Sequence, residues 1–261
     1  MILLSFDIEE FDMPFEYGKE ISFDDQIEIS RNGTIYILDL LKKHNIKATF
    51  FSTATFAINV PDLINRIVIE GHEIASHAYY HSDFKVEHLK QSRLKLEELT
   101  GLKVIGFRMP RMHPVDEKEI QKAGYVYNSS INPTYIPGRY NHFFKPKTFF
   151  KQDDVWQIPA SVSPIIRFPL FWLSFHNLPV WLYFFLSKWT LKYDKYLNIY
   201  FHPWEFTDLE QKQRFNFPTF ISKNSGEKMT ERMDLLITKF KKRNIVFGTF
   251  KDLLATQIEK S

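Results

Sequence analysis

The chain has 261 residues, 44% hydrophobic and 25% charged, the balance of a soluble globular protein, and its length fits one α/β domain over residues 1–261. A formal net charge of +3 gives no reason to expect nucleic acid as a partner. Cysteine is absent, which excludes disulfides, thiolate catalysis and sulfur-ligated zinc, so any metal must be held by His and carboxylates.

Strand-like and helix-like runs alternate from the start. ILLSF (2–6) reads as a buried strand, TIYILDLLKKHN (34–45) as a helix with Ile35, Leu38 and Leu41 on one face, and KATFFS (47–52) as a strand. PDLINRIVIEG (61–71) has proline at a helix start and glycine at its end. EIASH (73–77) is a short strand, VEHLKQSRLKLEELTG (86–101) a helix stopped by Gly101, KVIGF (103–107) a strand, and DEKEIQKAG (116–124) a helix. YVYNSS, VWQIP and YLNIYF follow as strands, then a helix near 226–242 and the strand NIVFGTF (244–250). Such alternation predicts a parallel sheet covered by helices, and about seven units favour a TIM-like (β/α) barrel.

The N-terminus, MILLSFDIEEFD, lacks the basic start, long apolar run and cleavage site of a signal peptide, so a cytoplasmic location is expected. The most apolar stretch, residues 168–189, is interrupted by Ser174, His176, Asn177 and Pro179, and no transmembrane helix is expected. It reads as core plus a lid, with peripheral membrane contact as the sharper alternative.

In barrels the chemistry lies at the C-terminal ends of strands. Asp7 follows ILLSF, His77 follows EIA, Arg108 follows KVIGF and His202 follows YLNIYF. Each alone reads as a turn residue, a cap or a satisfied histidine; together they are a candidate site. His77 and His81 are four apart, a spacing that on a helical turn brings two imidazoles to one ion. A hydrolytic site needs a third ligand and an open position. FDIEE supplies Asp7 and Glu9, one to ligate and the other to act as a base, with Glu10 as a rival ligand.

The order and spacing of SFDIE, LDLLKKHNIKATFF, GHEIASHAYYH, LEELTGLKVIGFRMP, GYVYNSS and YFHPWE resemble the polysaccharide deacetylase superfamily (NodB homology, carbohydrate esterase family 4) over nearly the whole chain. The resemblance implies a deformed (β/α) barrel and a metal-dependent hydrolase that removes N-acetyl groups from a sugar of a polysaccharide or glycan precursor. It implies Asp7 as catalytic base, Arg108 as its orienting partner and His202 as general acid. Glu9, His77 and His81 would hold one divalent ion, zinc first, with cobalt, manganese, iron or nickel as the other candidates. The backbone N–H of Arg111, just after Pro110, would serve the oxyanion; Pro110, Arg111, Asn128 and Trp204 would contact the substrate, Trp204 at the acetyl pocket or a sugar face, with Glu205 behind it. The chain departs from the family where Ile8 replaces a second aspartate and where Asn128 stands in place of an aspartate that would pair with the arginine. His113 and Pro114 are also unusual. The alternatives are an allantoinase-like hydrolase of another C–N bond and a carbohydrate-binding protein that has lost activity. The sequence leaves the oligomeric state open.

Overall fold

A computed structural model describes residues 1–258. In chain order the elements are β1 (Ile2–Ile8), α1 (Phe23–His44), β2 (Thr49–Ser52), α2 (Ala54–Asn59), α3 (Pro61–Ile69), β3 (Glu73–Ser76), α4 (Glu87–Thr100), β4 (Gly106–Phe107), α5 (Glu117–Lys122) and β5 (Tyr127–Asn128). A hairpin of β6 (Tyr135–Ile136) and β7 (Tyr140–Asn141) follows, then β8 (Phe150–Gln152), β9 (Val155–Gln157), α6 (Trp172–Asn177), α7 (Val180–Asp194) and β10 (Leu197–Phe201). The chain closes with α8 (Lys212–Phe215), α9 (Thr219–Ser222), α10 (Glu227–Lys241), β11 (Phe247–Gly248) and α11 (Phe250–Ile258).

The strands β10-β1-β2-β3-β4-β5-β9 pair in that order, all parallel, with β8 antiparallel on the outer edge and β11 beside the start of β1. This curled sheet is the expected deformed (β/α) barrel. Its open seam lies between β9 and β10, where Ser161 N–H donates to the Asn198 carbonyl at 2.8 Å.

Strand alternation sorts the residues into two cores. Ile2, Leu4, Phe6 and Ile8 of β1 pack outward under the helices, as do Phe50, Ile74 and Phe107. Leu3, Phe51, Ala75 and Tyr127 point into the barrel, with Phe250 of α11 plugging its base. The Phe250 ring lies 5.3 Å from Phe51 and 5.3 Å from Tyr127. The same parity that turns Leu3 inward carries Asp7 to the barrel mouth.

The helix expected at 34–45 begins at Phe23, capped by Ser22, whose hydroxyl accepts from Asp25 N–H at 3.1 Å. Gly33 is a close approach inside α1: a Cβ there would sit 1.9 Å from the Pro203 carbonyl oxygen, so glycine lets the turn after His202 dock on the helix. Residues 168–189 divide into α6 and most of α7. Trp172 and Phe175 are buried, whereas Trp181 and Phe185 are 65% and 57% exposed. Among the described residues no helix is long and apolar enough to cross a membrane.

Candidate metal and acid–base centre

Four strand ends meet in one cleft. Asp7 lies near the end of β1 and Glu9 just beyond it; His77 follows β3, Arg108 follows β4 and His202 follows β10. Asp7, Glu9, His77, His81, Arg111, His202 and Trp204 all line this cleft. Arg108 lies beneath it.

Glu9, His77 and His81 form the one group of acidic and histidine side chains among the described residues that could hold a metal. Glu9 Oε2 is 3.0 Å from His77 Nε2 and 3.1 Å from His81 Nε2. The opposite ring nitrogens explain why these atoms converge. His77 Nδ1 is 2.9 Å from the Arg108 carbonyl oxygen, which can only accept, so this nitrogen donates. His81 Nδ1 donates to Asp12 Oδ1 at 2.9 Å. In neutral imidazoles both Nε2 atoms therefore turn lone pairs toward a carboxylate oxygen that has no hydrogen-bond donor, although it is buried. Such a meeting of lone pairs is relieved by a positive charge among them, a proton on a ring nitrogen or a metal ion. Burial would lower the His81 pKa, yet the Glu9 and Asp12 carboxylates outweigh it and push it up to about 9. Burial would raise Glu9, yet the facing histidines hold it well below the usual carboxylate range. Both shifts record a site short of positive charge. The donor set of two nitrogens and one oxygen fits a divalent ion that keeps an open position.

The two histidines do not share a helical turn, as their spacing suggested. His77 ends a strand, and Ala78 in the left-handed region (φ 64°) turns the chain so that His81 returns, ring centroids 6.0 Å apart. Glu10 points elsewhere and accepts from Thr53 Oγ1 at 2.5 Å.

Arg108 is buried. Its Nη1 donates to Asp7 Oδ1 at 2.5 Å, its Nη2 to Ser5 Oγ and Ser129 Oγ at 3.1 Å each, and its Nε to the Ser129 carbonyl at 3.2 Å. The guanidinium rests 4.0 Å above the Phe51 ring. This fork fixes one oxygen of Asp7 and leaves the other toward the cleft. Asp7 Oδ2 lies 4.0 Å from His202 Nε2.

His202 is held from behind. Its Nδ1 is 3.0 Å from Glu205 Oε1, which also accepts the His202 backbone N–H at 2.6 Å. Glu205 Oε2 is 3.0 Å from Nε2 of the buried His176, whose Nδ1 donates to the Lys223 carbonyl at 2.8 Å. The proton on Nδ1 leaves His202 Nε2 to face the cleft. Burial would lower the His202 pKa; its hydrogen bond to Glu205 and the Glu9, Glu205 and Asp7 carboxylates override that and raise it. Trp204 stacks on His202 at 4.7 Å, and its Nε1 is 3.5 Å from Glu9 Oε1. It lines the cleft and also backs His202 and Glu9.

Asn128 departs from expectation. It is buried, donates to Gln157 Oε1 at 3.0 Å and accepts from Ser130 Oγ, and neither lines the cleft nor touches Arg108. Ser129 serves the arginine instead. Pro110 is buried outside the lining, and Arg111 after it adopts φ 54°, a strained conformation for a non-glycine residue. The Arg111 side chain spans Asp12 Oδ1 at 3.2 Å and Glu16 Oε1 at 3.0 Å. His88, which reads as solvated in the sequence, is buried with Nδ1 3.1 Å from Lys85 N–H. Sequence reasoning missed Asp12, His176, Trp172, Tyr200 and Arg139 at or behind the cleft. Asp12 repeats the Phe-Asp of Phe6-Asp7 at Phe11-Asp12, but nothing in its spacing ties it to His81.

The sequence model of the polysaccharide deacetylase family matches residues 19–127. That span contains His77, His81, Arg108 and Arg111, and excludes Asp7, Glu9 and His202. A chitooligosaccharide deacetylase of Bradyrhizobium sp. (strain ANU 289) is 37% identical over 78 residues, 30% of this chain and 35% of its own. The chain spans less than half the length of the curated relatives it matches. A solved protein of Mycobacterium smegmatis, described as a polysaccharide deacetylase, has a TM-score of 0.66 at 16% identity over 99% of this chain and 90% of its own. A solved allantoinase reaches 0.64 at 18% identity over 96% and 87%. The barrel is thus shared by proteins with different substrates. The sequence match over residues 19–127, which bear the two histidines and the arginine, is narrower, and in that segment the chain is similar to the polysaccharide deacetylase family.

Proposed function

We propose that the chain is a metal-dependent deacetylase that hydrolyses the N-acetyl group of a sugar unit in a glycan or glycan precursor. One observation carries the reading: the Glu9–His77–His81 trio, short of a cation, sits in one cleft with a buried carboxylate, Asp7, and a backed histidine, His202, that face each other at 4.0 Å.

The trio would hold the ion, zinc first by its His₂-carboxylate donors, and a bound divalent ion supplies polarisation of the acetyl carbonyl and of water. The chain's own groups then have these roles. Asp7, held by Arg108, takes a proton from the attacking water as the new C–O bond forms. His202, protonated on Nε2, gives that proton to the departing nitrogen as the C–N bond breaks, leaving acetate and a free amine. The backbone N–H of Arg111 is assigned to the developing oxyanion; its place at the cleft edge supports this. Glu205 and Arg108 are positioning residues.

A glycan as substrate is supported by the family and by the similarity to a chitooligosaccharide deacetylase. Membrane contact by residues 168–189 would fall on Trp181 and Phe185 of α7, the exposed aromatics of that stretch. Acetate release from N-acetylated chitooligosaccharides, by the zinc-supplemented wild type and by Asp7→Asn and His202→Ala, tests the reading. Each variant is expected to lose about 10²- to 10⁴-fold in rate with an unchanged circular dichroism spectrum. Variants as active as the wild type would remove the assigned roles.

A further inference from the structure

Most charged groups around the cleft lie in ion-pair contact. Asp7 pairs with Arg108, Glu9 with the two histidines, and Asp12 and Glu16 with Arg111. Arg139 also lines the cleft, and among the described residues no carboxylate lies within 4.0 Å of it. It enters from the β6–β7 hairpin, where Gly138 in the left-handed region (φ 74°) makes the turn and Arg139 N–H donates to the Ile136 carbonyl at 3.0 Å. Aromatic rings hold its head in place of an acid. The guanidinium carbon is 5.6 Å from the Tyr140 ring and 5.9 Å from the Trp172 ring.

A guanidinium supported on π faces keeps its edge donors free, and that edge matches the two oxygens of a carboxylate or phosphate. The location adds a direction. The Trp172 ring is 5.6 Å from His202 and 5.3 Å from Trp204. Through Trp172, Arg139 reaches toward His202, where the leaving nitrogen and its sugar ring would lie. Glu16 acts on this cation only from beyond ion-pair contact; an acidic sugar would bring an anion into direct contact with it in a partly desolvated cleft.

Resting on the deacetylase reading, we propose that Arg139 is a specificity residue that binds an anionic substituent, carboxylate or phosphate, on the N-acetylated sugar. The test is calorimetric binding to the full, zinc-supplemented chain, with acetate release followed in parallel. The probes are N-acetylmuramic acid (carboxylate), N-acetylglucosamine 1-phosphate (phosphate) and neutral N-acetylglucosamine. At least one acidic sugar is expected to bind about tenfold or more tightly than the neutral one. Which of the two does so identifies the anion. Arg139→Gln is expected to erase that preference while leaving the neutral sugar unchanged, and Arg139→Lys to keep part of it. Equal binding of all three sugars, no binding of any, or a preference that survives Arg139→Gln would overturn the proposal. If the preference and its loss are observed but no sugar releases acetate, the anion subsite stands and the deacetylase reading falls.

Discussion

His81 Nδ1 donates to Asp12 Oδ1 at 2.9 Å, and this bond decides which face His81 turns toward Glu9. Asp12 is itself fixed by the Ser82 hydroxyl and by Arg111 Nη2 at 3.2 Å. Asp12→Ala would free the ring to rotate and to protonate on either nitrogen. Zinc affinity is expected to fall by about 10- to 100-fold, as when outer partners of ligating histidines are removed elsewhere. Isothermal titration of zinc into both proteins checks this; equal affinities would mean that His81 needs no such support.

The neighbouring acids separate in the same assay. Glu9→Ala removes one of three ligands, so tight zinc binding should be lost. Glu10→Ala removes an acceptor for Thr53 and should leave the zinc isotherm unchanged. The reverse pattern would place the ion on the other side of the strand end.

Arg108 is fully buried against a buried Asp7. Arg108→Met would leave that carboxylate without a partner, and a loss of about 3–5 kcal/mol in stability is expected. Arg108→Lys should lose activity as well, because an ammonium cannot reproduce the fork to Asp7, Ser5 and Ser129. Urea unfolding and acetate release together check both.

The raised pKa of His202 has a sign that kinetics can read. The donating form is the protonated one, so a raised pKa carries activity to higher pH than an ordinary imidazole with a pKa of about 6.5 would allow. Glu205→Gln removes the strongest influence holding it up, and burial then acts in the opposite direction. The alkaline limb of the kcat profile is expected to move to lower pH in that variant. An unmoved limb would detach Glu205 from the acid.

Much of this was legible in the chain because the barrel repeats one simple rule. Apolar strands ending in Asp7, His77, Arg108 and His202 gave both the fold and the mouth residues, and two-residue parity favoured Glu9 over Glu10. What stayed hidden depends on three-dimensional return. The left-handed turn at Ala78 that brings His81 back, the Asp12 contact across the cleft and the His176–Glu205 pair join segments up to 69 residues apart with no periodic signature. Asn128 was misread for a related reason. The family position suggested a partner for the arginine, while the local backbone turns Ser129 inward instead.

The most direct test is acetate release from N-acetylated chitooligosaccharides by metal-free protein titrated with zinc. The rate should rise in proportion to added zinc and level off at about one ion per chain, and His81→Ala should stay near zero across the same range. A full rate in the metal-free protein, or no acetate at any zinc level, would contradict a metal-dependent deacetylase built on Glu9, His77 and His81.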